Sequence, residues 1–159
     1  DVVAFTFTSR RPLEPVVAPS AQPGLRYEYY EGEWDRLPDF DALRAAATGI
    51  AKSFDISQRK RDDRFAFRFT GYIDVPADGI YTFRLTSDDG SKLWIGDLLV
   101  VDNDGLHSMV ERRGQVLLKA GRHPITVAMF EATEVEGLSV AYEGPGVSRQ
   151  PIPAAVLSR

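Results

Sequence analysis

The chain has 159 residues, enough for one ordinary domain that buries about 70% of its unfolded surface and needs no metal or disulfide merely to fold. Its composition, 43% hydrophobic and 26% charged, is that of a globular protein and excludes a disordered chain. Lys and Arg number 19 against 23 Asp and Glu, a net charge of −4 that argues against nucleic acid as a partner, and the lack of Cys excludes disulfides and thiolate-bound zinc.

Residues 2–8, VVAFTFT, are β-branched and aromatic and read as a strand. Pro12, Pro15, Pro19 and Pro23 then crowd a stretch with no period, so residues 9–24 read as an extended linker. The opening strand is either the last strand of a preceding domain or the first of this one. The chain opens with Asp1 and without a basic-then-apolar leader, as expected of a processed product or a piece of a longer polypeptide.

From Leu25 onward the pattern is mostly β. RYEYYEG reads as a strand, and residues 38–48 (PDFDALRAAAT) read as one short helix with Asp39 as its cap. Phe65, Phe67 and Phe69 alternate with Ala66 and Arg68, which gives a strand one apolar face. After the turn Val75-Pro-Ala-Asp-Gly79, Tyr81, Phe83 and Leu85 alternate in the same way, the expected second arm of a hairpin. Residues 93–101 form a second hairpin about Gly96-Asp97, and residues 116–130 a third about Ala120-Gly121. Leu138, Val140 and Tyr142 alternate before Gly144-Pro145-Gly146. Short strands with turns every ~8–12 residues predict an all-β antiparallel sandwich over residues 25–159, with one short helix. The longest aliphatic run, residues 98–101, is far short of the ~20 residues that span a bilayer, so membrane insertion is not expected.

Nucleophilic catalysis has little to work with. The histidines are His107 and His123, the latter in a turn, Gly121-Arg-His-Pro124, where a solvated or capping role is expected. No Gly-rich strand-to-helix loop cradles phosphate. The acidic loops are more informative. Asp88 and Asp89 sit adjacent at a strand end, between Leu85 and Leu93, where they repel unless solvated or sharing a cation. Irregular loops rich in carboxylate and carbonyl oxygen suit Ca²⁺; a plain type I turn would favour the same residues. Asp102-Asn103-Asp104-Gly105, followed by His107, lacks the spacing and distal Glu of an EF-hand. Asp62 and Asp63 lie among basic residues that compensate them, and Glu131, Glu134 and Glu136 occupy the loop between the last two long strands.

The run FTGYIDVPADGIYTFRLTSDDGSKLWIGDLLVVDNDGLH, followed by AGRHPITVAMFE and LSVAYEGPG, resembles the lectin-like β-sandwich family named after the anthrax protective antigen, the PA-fourteen domain. The resemblance covers about residues 25–157 and implies an extracellular module grafted onto glycosidases, adhesins and toxins. The strand, Pro-rich linker and LPDF motif look like the variety attached to bacterial β-N-acetylhexosaminidases and related glycosidases, in which residues 2–8 would end an immunoglobulin-like domain. Adhesin members bind sugar through calcium held by an adjacent Asp pair joined by a cis peptide, matched here by Asp88 and Asp89. Their second calcium loop maps to residues 131–137, where an Asn is expected; this sequence has Ala132-Thr133-Glu134 and no Asn, leaving Glu131 or Glu134 to substitute. Toxin members keep the pair without using it for sugar.

The expectation is a non-catalytic, carbohydrate-binding accessory module of a secreted bacterial glycoside-active protein, located outside the cell, in the periplasm or on the surface. Its partners would be a neutral or amino sugar and the other domains of the same polypeptide. The expected metal ligands are Asp88, Asp89 and Glu131, with Glu134, Asn103, His107 and Trp94 also facing ligand; Trp94, on a strand, reads first as a core residue and only second as a sugar platform, and Trp34 is open to the same two readings. The rival is a structural spacer or protein-contact domain that positions a catalytic neighbour. A free-standing enzyme has no acid–base pair at motif spacing to support it.

Overall fold

The computed structural model describes residues 5–7, 11–17, 21–134 and 136–159. Twelve strands are described: β1 (Phe5–Phe7), β2 (Leu25–Glu31), β3 (Ala47–Ala51), β4 (Phe65–Val75), β5 (Gly79–Asp88), β6 (Ser91–Ile95), β7 (Leu98–Asn103), β8 (Val110–Leu118), β9 (Gly121–Glu131), β10 (Gly137–Gly144), β11 (Val147–Pro151) and β12 (Leu157–Ser158). They form two sheets packed as a β-sandwich. One has the order β1-β8-β5-β10-β11; the other runs β3-β2-β4-β9-β6-β7, with β12 also pairing β4. Every pairing is antiparallel except that of β1 with β8. Residues 2–4 and 8 of the expected opening strand, and 9, 10 and 18–20 of the expected linker, lie outside the described residues.

Period-two alternation sets the core. Phe65, Phe67 and Phe69 of β4, Val127 and Met129 of β9, Leu93 of β6, and Tyr81, Phe83 and Leu85 of β5 point between the sheets and are fully buried. The other face of the larger sheet is also covered in part. Tyr30, Phe40, Ala66, Ala128 and Phe130 form a second apolar cluster there, with Trp34, Leu37, Ala45 and Trp94 packed around it. The loop between β2 and β3 supplies that cover.

Three expectations are corrected. The segment 38–48 is not a helix. Only Phe40–Ala42 makes a single 3₁₀ turn, with the Asp39 side chain accepting from the Asp41 amide. Ala46 donates instead to the Tyr29 carbonyl at 2.7 Å, and Ala47 enters β3 against β2, so sheet pairing overrides the alanine-rich propensity. The pairs β4/β5 and β8/β9 are not hairpins: β4 and β9 lie in the larger sheet, β5 and β8 in the smaller, and each turn carries the chain across the sandwich. Of the three expected hairpins, β6–β7 is one, pairing Ser91–Ile95 with Leu98–Asn103. His123 is not solvated either; it lies within β9, 1% exposed, with Nε2 2.7 Å from the Lys119 carbonyl.

Two contacts close the structure. Gly114 of β8 passes so near β7 that a Cβ there would lie 1.9 Å from the Val100 carbonyl oxygen. At the other extreme, Gln22 and Arg159 exchange backbone hydrogen bonds, 3.1 Å from the Gln22 amide and 2.9 Å from the Arg159 amide, beside the Pro23–Ser158 bridge. Among the described residues, no helix is long and apolar enough to cross a membrane.

Candidate functional site

Asp88 ends β5 in the smaller sheet and Ser91 starts β6 in the larger, so the two aspartates occupy the crossing itself. Their shared peptide is cis. The Asp89 amide donates to the Phe130 carbonyl at 3.0 Å, and the Phe130 amide donates to Gly90 at 2.9 Å, which extends β9 alongside the crossing. Glu131, the last residue of β9, is thereby delivered to the same place. One carboxylate oxygen from each of Asp88, Asp89 and Glu131 lies within 4.8 Å of the others.

Asp89 is the fixed member. Its Oδ1 accepts from the His107 amide at 3.1 Å and its Oδ2 from the Ala132 amide at 2.9 Å, while Ser87 Oγ donates to its carbonyl at 2.7 Å. Each carboxylate oxygen keeps a second lone pair for another partner. Glu131 is 1% exposed and both its oxygens are buried without a hydrogen-bond partner. Burial first, then the charges of Asp89 and Asp88, push its carboxyl up to about 9. Asp88 is raised for the same reasons, burial before the neighbouring Asp89 charge, with His107 pulling it back down. Among the described residues no Lys or Arg forms an ion pair with any of the three. Three carboxyl groups are thus held together with no protein cation among them, one of them with no hydrogen-bond partner at all.

Such a set fits a hard divalent cation. Oxygens coordinating Ca²⁺ at ~2.3–2.6 Å can be up to about 5 Å apart across the ion, which the 4.8 Å limit satisfies. Two carboxylates from one loop and one from the adjoining strand end leave the remaining coordination positions to carbonyls, water or a ligand.

The other predicted residues separate. Glu134, at φ 82°, donates its amide to Asp63 Oδ1 at 3.0 Å, and its charge contributes to raising Asp88, so it borders the cluster. Asp62 pairs with Arg59 at 3.5 Å, and Arg59 also holds Glu136 at 2.6 Å. Asn103 is 3% exposed and its amide nitrogen donates to the carbonyls of Val110 at 2.8 Å and Leu85 at 3.1 Å; that nitrogen ties β5 to the start of β8. The His107 ring nitrogens each lie 2.7 Å from a carbonyl, of Ser108 and Asn103, so its backbone amide serves the cluster and its ring braces the loop. Trp94 does not join them. It pairs with Thr126, five residues down β9 from Glu131 and about 17 Å along the strand, on the outer face of the larger sheet. The His107 and Ala132 amides had no signal in the sequence, because a backbone donor is common to every residue.

A family model described as PA14 domain matches residues 21–155. The chain is 25% identical over 140 residues to Anti-sigma-I factor RsgI3 of Acetivibrio thermocellus, covering 84% of this chain and 21% of that protein. It is 27% identical over 116 residues to Beta-hexosaminidase of Porphyromonas gingivalis, covering 67% of this chain and 14% of that one. The chain therefore spans about a fifth or less of the length of these curated relatives. Among solved structures, the PA14 sugar-binding domain from an RTX adhesin shares the fold with a TM-score of 0.71 and 19% identity, covering 86% of this chain and 98% of that one.

Proposed function

The chain belongs to the PA14 domain family, whose members are generally non-catalytic binding modules, and from that premise we propose that it is a carbohydrate-binding accessory module whose site is a Ca²⁺ ion held by Asp88, Asp89 and Glu131. The observation that carries this reading is the pair of buried Glu131 oxygens without a partner, set within 4.8 Å of two more carboxylates. Ionising a buried carboxyl that has no donor is costly, and a bound divalent cation offsets that cost. The ion would present its open positions to paired sugar hydroxyls, with Glu134 at the edge of the site. The likeness to a sugar-binding domain and to part of a β-hexosaminidase is consistent with a sugar ligand and a larger parent protein. A glycoside-active parent working outside the cytoplasm, where glycans and millimolar calcium are met together, completes the reading.

The rival is a spacer that positions its neighbours, and it draws on the small share of its relatives that this chain represents. Glycan-array screening and thermal unfolding, each with calcium and with chelator, separate the two. The module reading expects calcium to raise Tm, at least one glycan to bind only with calcium, and Asp89→Ala to abolish both effects. Silence on every glycan with a Tm unmoved by calcium favours the spacer.

A further inference from the structure

A pocket of about 620 Å³, within the size range of small-ligand sites, lies between the β2–β3 loop and the loop after β7; its walls include Glu33, Trp34, Arg36, Leu37, Leu106 and Ala132. It shares a wall with the carboxylate cluster. The Ala132 amide bonds Asp89 Oδ2 at 2.9 Å, and Leu106 precedes His107, whose amide bonds Asp89 Oδ1 at 3.1 Å. The two loops are tied together where the Leu37 amide donates to Asp104 Oδ1 at 2.9 Å. The pocket is thus fixed relative to Asp89 through three backbone amides.

Its lining combines two chemistries. Leu106 is 59% exposed and Trp34 is half-buried, an apolar surface in the open. Gly32 makes room for the indole, since a Cβ there would lie 2.6 Å from Trp34 Cζ2. Beside these stand Glu33 and Arg36, both exposed and neither in an ion pair or side-chain hydrogen bond with any described residue. On the sheets, by contrast, Arg68 pairs with Glu28 at 2.9 Å and Arg84 with Glu143 at 2.9 Å.

We propose that this pocket is an acetamido subsite, so that the ligand of the neighbouring carboxylate site is an N-acetylhexosamine. The inference rests on the sugar reading above. An acetamido group offers one N–H to a carboxylate such as Glu33, one carbonyl to a guanidinium such as Arg36, and one methyl to the Leu106 and Trp34 surface. A plain hydroxyl at the same carbon offers no apolar part. Uronic and sialic acids are disfavoured, because Glu33, Asp35, Asp88, Asp89 and Glu131 outnumber the charge that one Ca²⁺ and Arg36 supply. Burying one methyl and making one net hydrogen bond together give on the order of a ten-fold preference over the parent hexose.

The test is an NMR titration of the chain, in calcium, with N-acetylglucosamine, N-acetylgalactosamine, glucose and galactose. The expected result is binding of an acetamido sugar about ten-fold tighter than its parent hexose. Leu106→Ser and Glu33→Ala, both at exposed positions, should each cut that ratio to about two- to four-fold and leave the hexose affinity unchanged; Trp34→Ala should do the same, its fold checked by the amide spectrum. Equal affinity for the acetamido sugar and its hexose in the wild type overturns the subsite and leaves the sugar reading standing. So does an equal loss of both ligands in the Leu106 and Glu33 variants. Silence of all four sugars, with calcium and with chelator, overturns the sugar reading and the subsite together.

Discussion

Glu131→Gln isolates the electrostatics of the cluster, because Gln keeps the shape of the protonated acid and cannot ionise. Burial and the adjoining Asp89 and Asp88 charges lift the Glu131 carboxyl from 4.5 to about 9. A carboxyl whose folded value exceeds its unfolded one holds its proton more tightly in the folded state. Stability is therefore complete below about pH 4.5 and falls as pH rises towards about 9. One group contributes a slope of at most about 1.4 kcal/mol per pH unit, so the loss accumulated by pH 7 is about 3 kcal/mol. Asp88, raised in the same direction, steepens the fall. Urea unfolding in chelator measures this directly. The wild type should lose stability from pH 5 to 8.5, the variant should be flatter and about 3 kcal/mol more stable at pH 7, and the two should converge near pH 4.5. Calcium should close the gap: at a hundred-fold excess over Kd the wild type gains about 2.7 kcal/mol, and the variant, short of one anionic ligand, gains little. A wild type whose stability in chelator ignores pH, or a variant destabilised at every pH, refutes the reasoning.

Gly114→Ala should destabilise by at least about 2 kcal/mol in denaturant unfolding, because the new methyl meets the Val100 carbonyl, and neither backbone can yield without breaking strand pairing. Asn103→Ala removes two buried hydrogen bonds to carbonyls and should cost about 2–3 kcal/mol, with a corresponding drop in Tm. Trp94→Ala should cost about 2 kcal/mol from the outer apolar cluster, read by urea unfolding, while calcium and sugar affinities measured by calorimetry change less than two-fold.

Strand identity was readable because alternation is a local property: Phe65, Phe67 and Phe69 must face one way whatever they pair with. Which strand pairs with which was not. The turns after Val75 and Leu118 look like hairpin turns, and only their partners across the sandwich reveal that each changes sheet. The alanines at 45–47 failed as a helix for a related reason, since the β2 edge offered their backbone a pairing that no window of sequence contains. At the site, the adjacent aspartates stood out by their mutual repulsion together with the match to the family's Asp pair. The depth of Glu131 was not, because its burial comes from strand extension beyond Phe130. Asn103 and His107 drew notice for their chemistry and turned out to spend the Asn amide nitrogen and the His ring on backbone carbonyls.

The clasp between Gln22 and Arg159 has a mechanical meaning. Ser158 pairs with Tyr72, seven residues along β4 from Phe65, and Phe65 faces Glu131 across the sheet; the clasp is thus about 23 Å along the strand from the carboxylates. Before Gln22 the chain is laid on the sandwich and not led away from it, with Leu13 bridging Leu118 and β1 paired to β8. A polypeptide joined after Arg159 would therefore depart at the clasp, with the binding loops at the opposite tip. A pull from that side would load the Gln22–Arg159 pair before it reached the carboxylates.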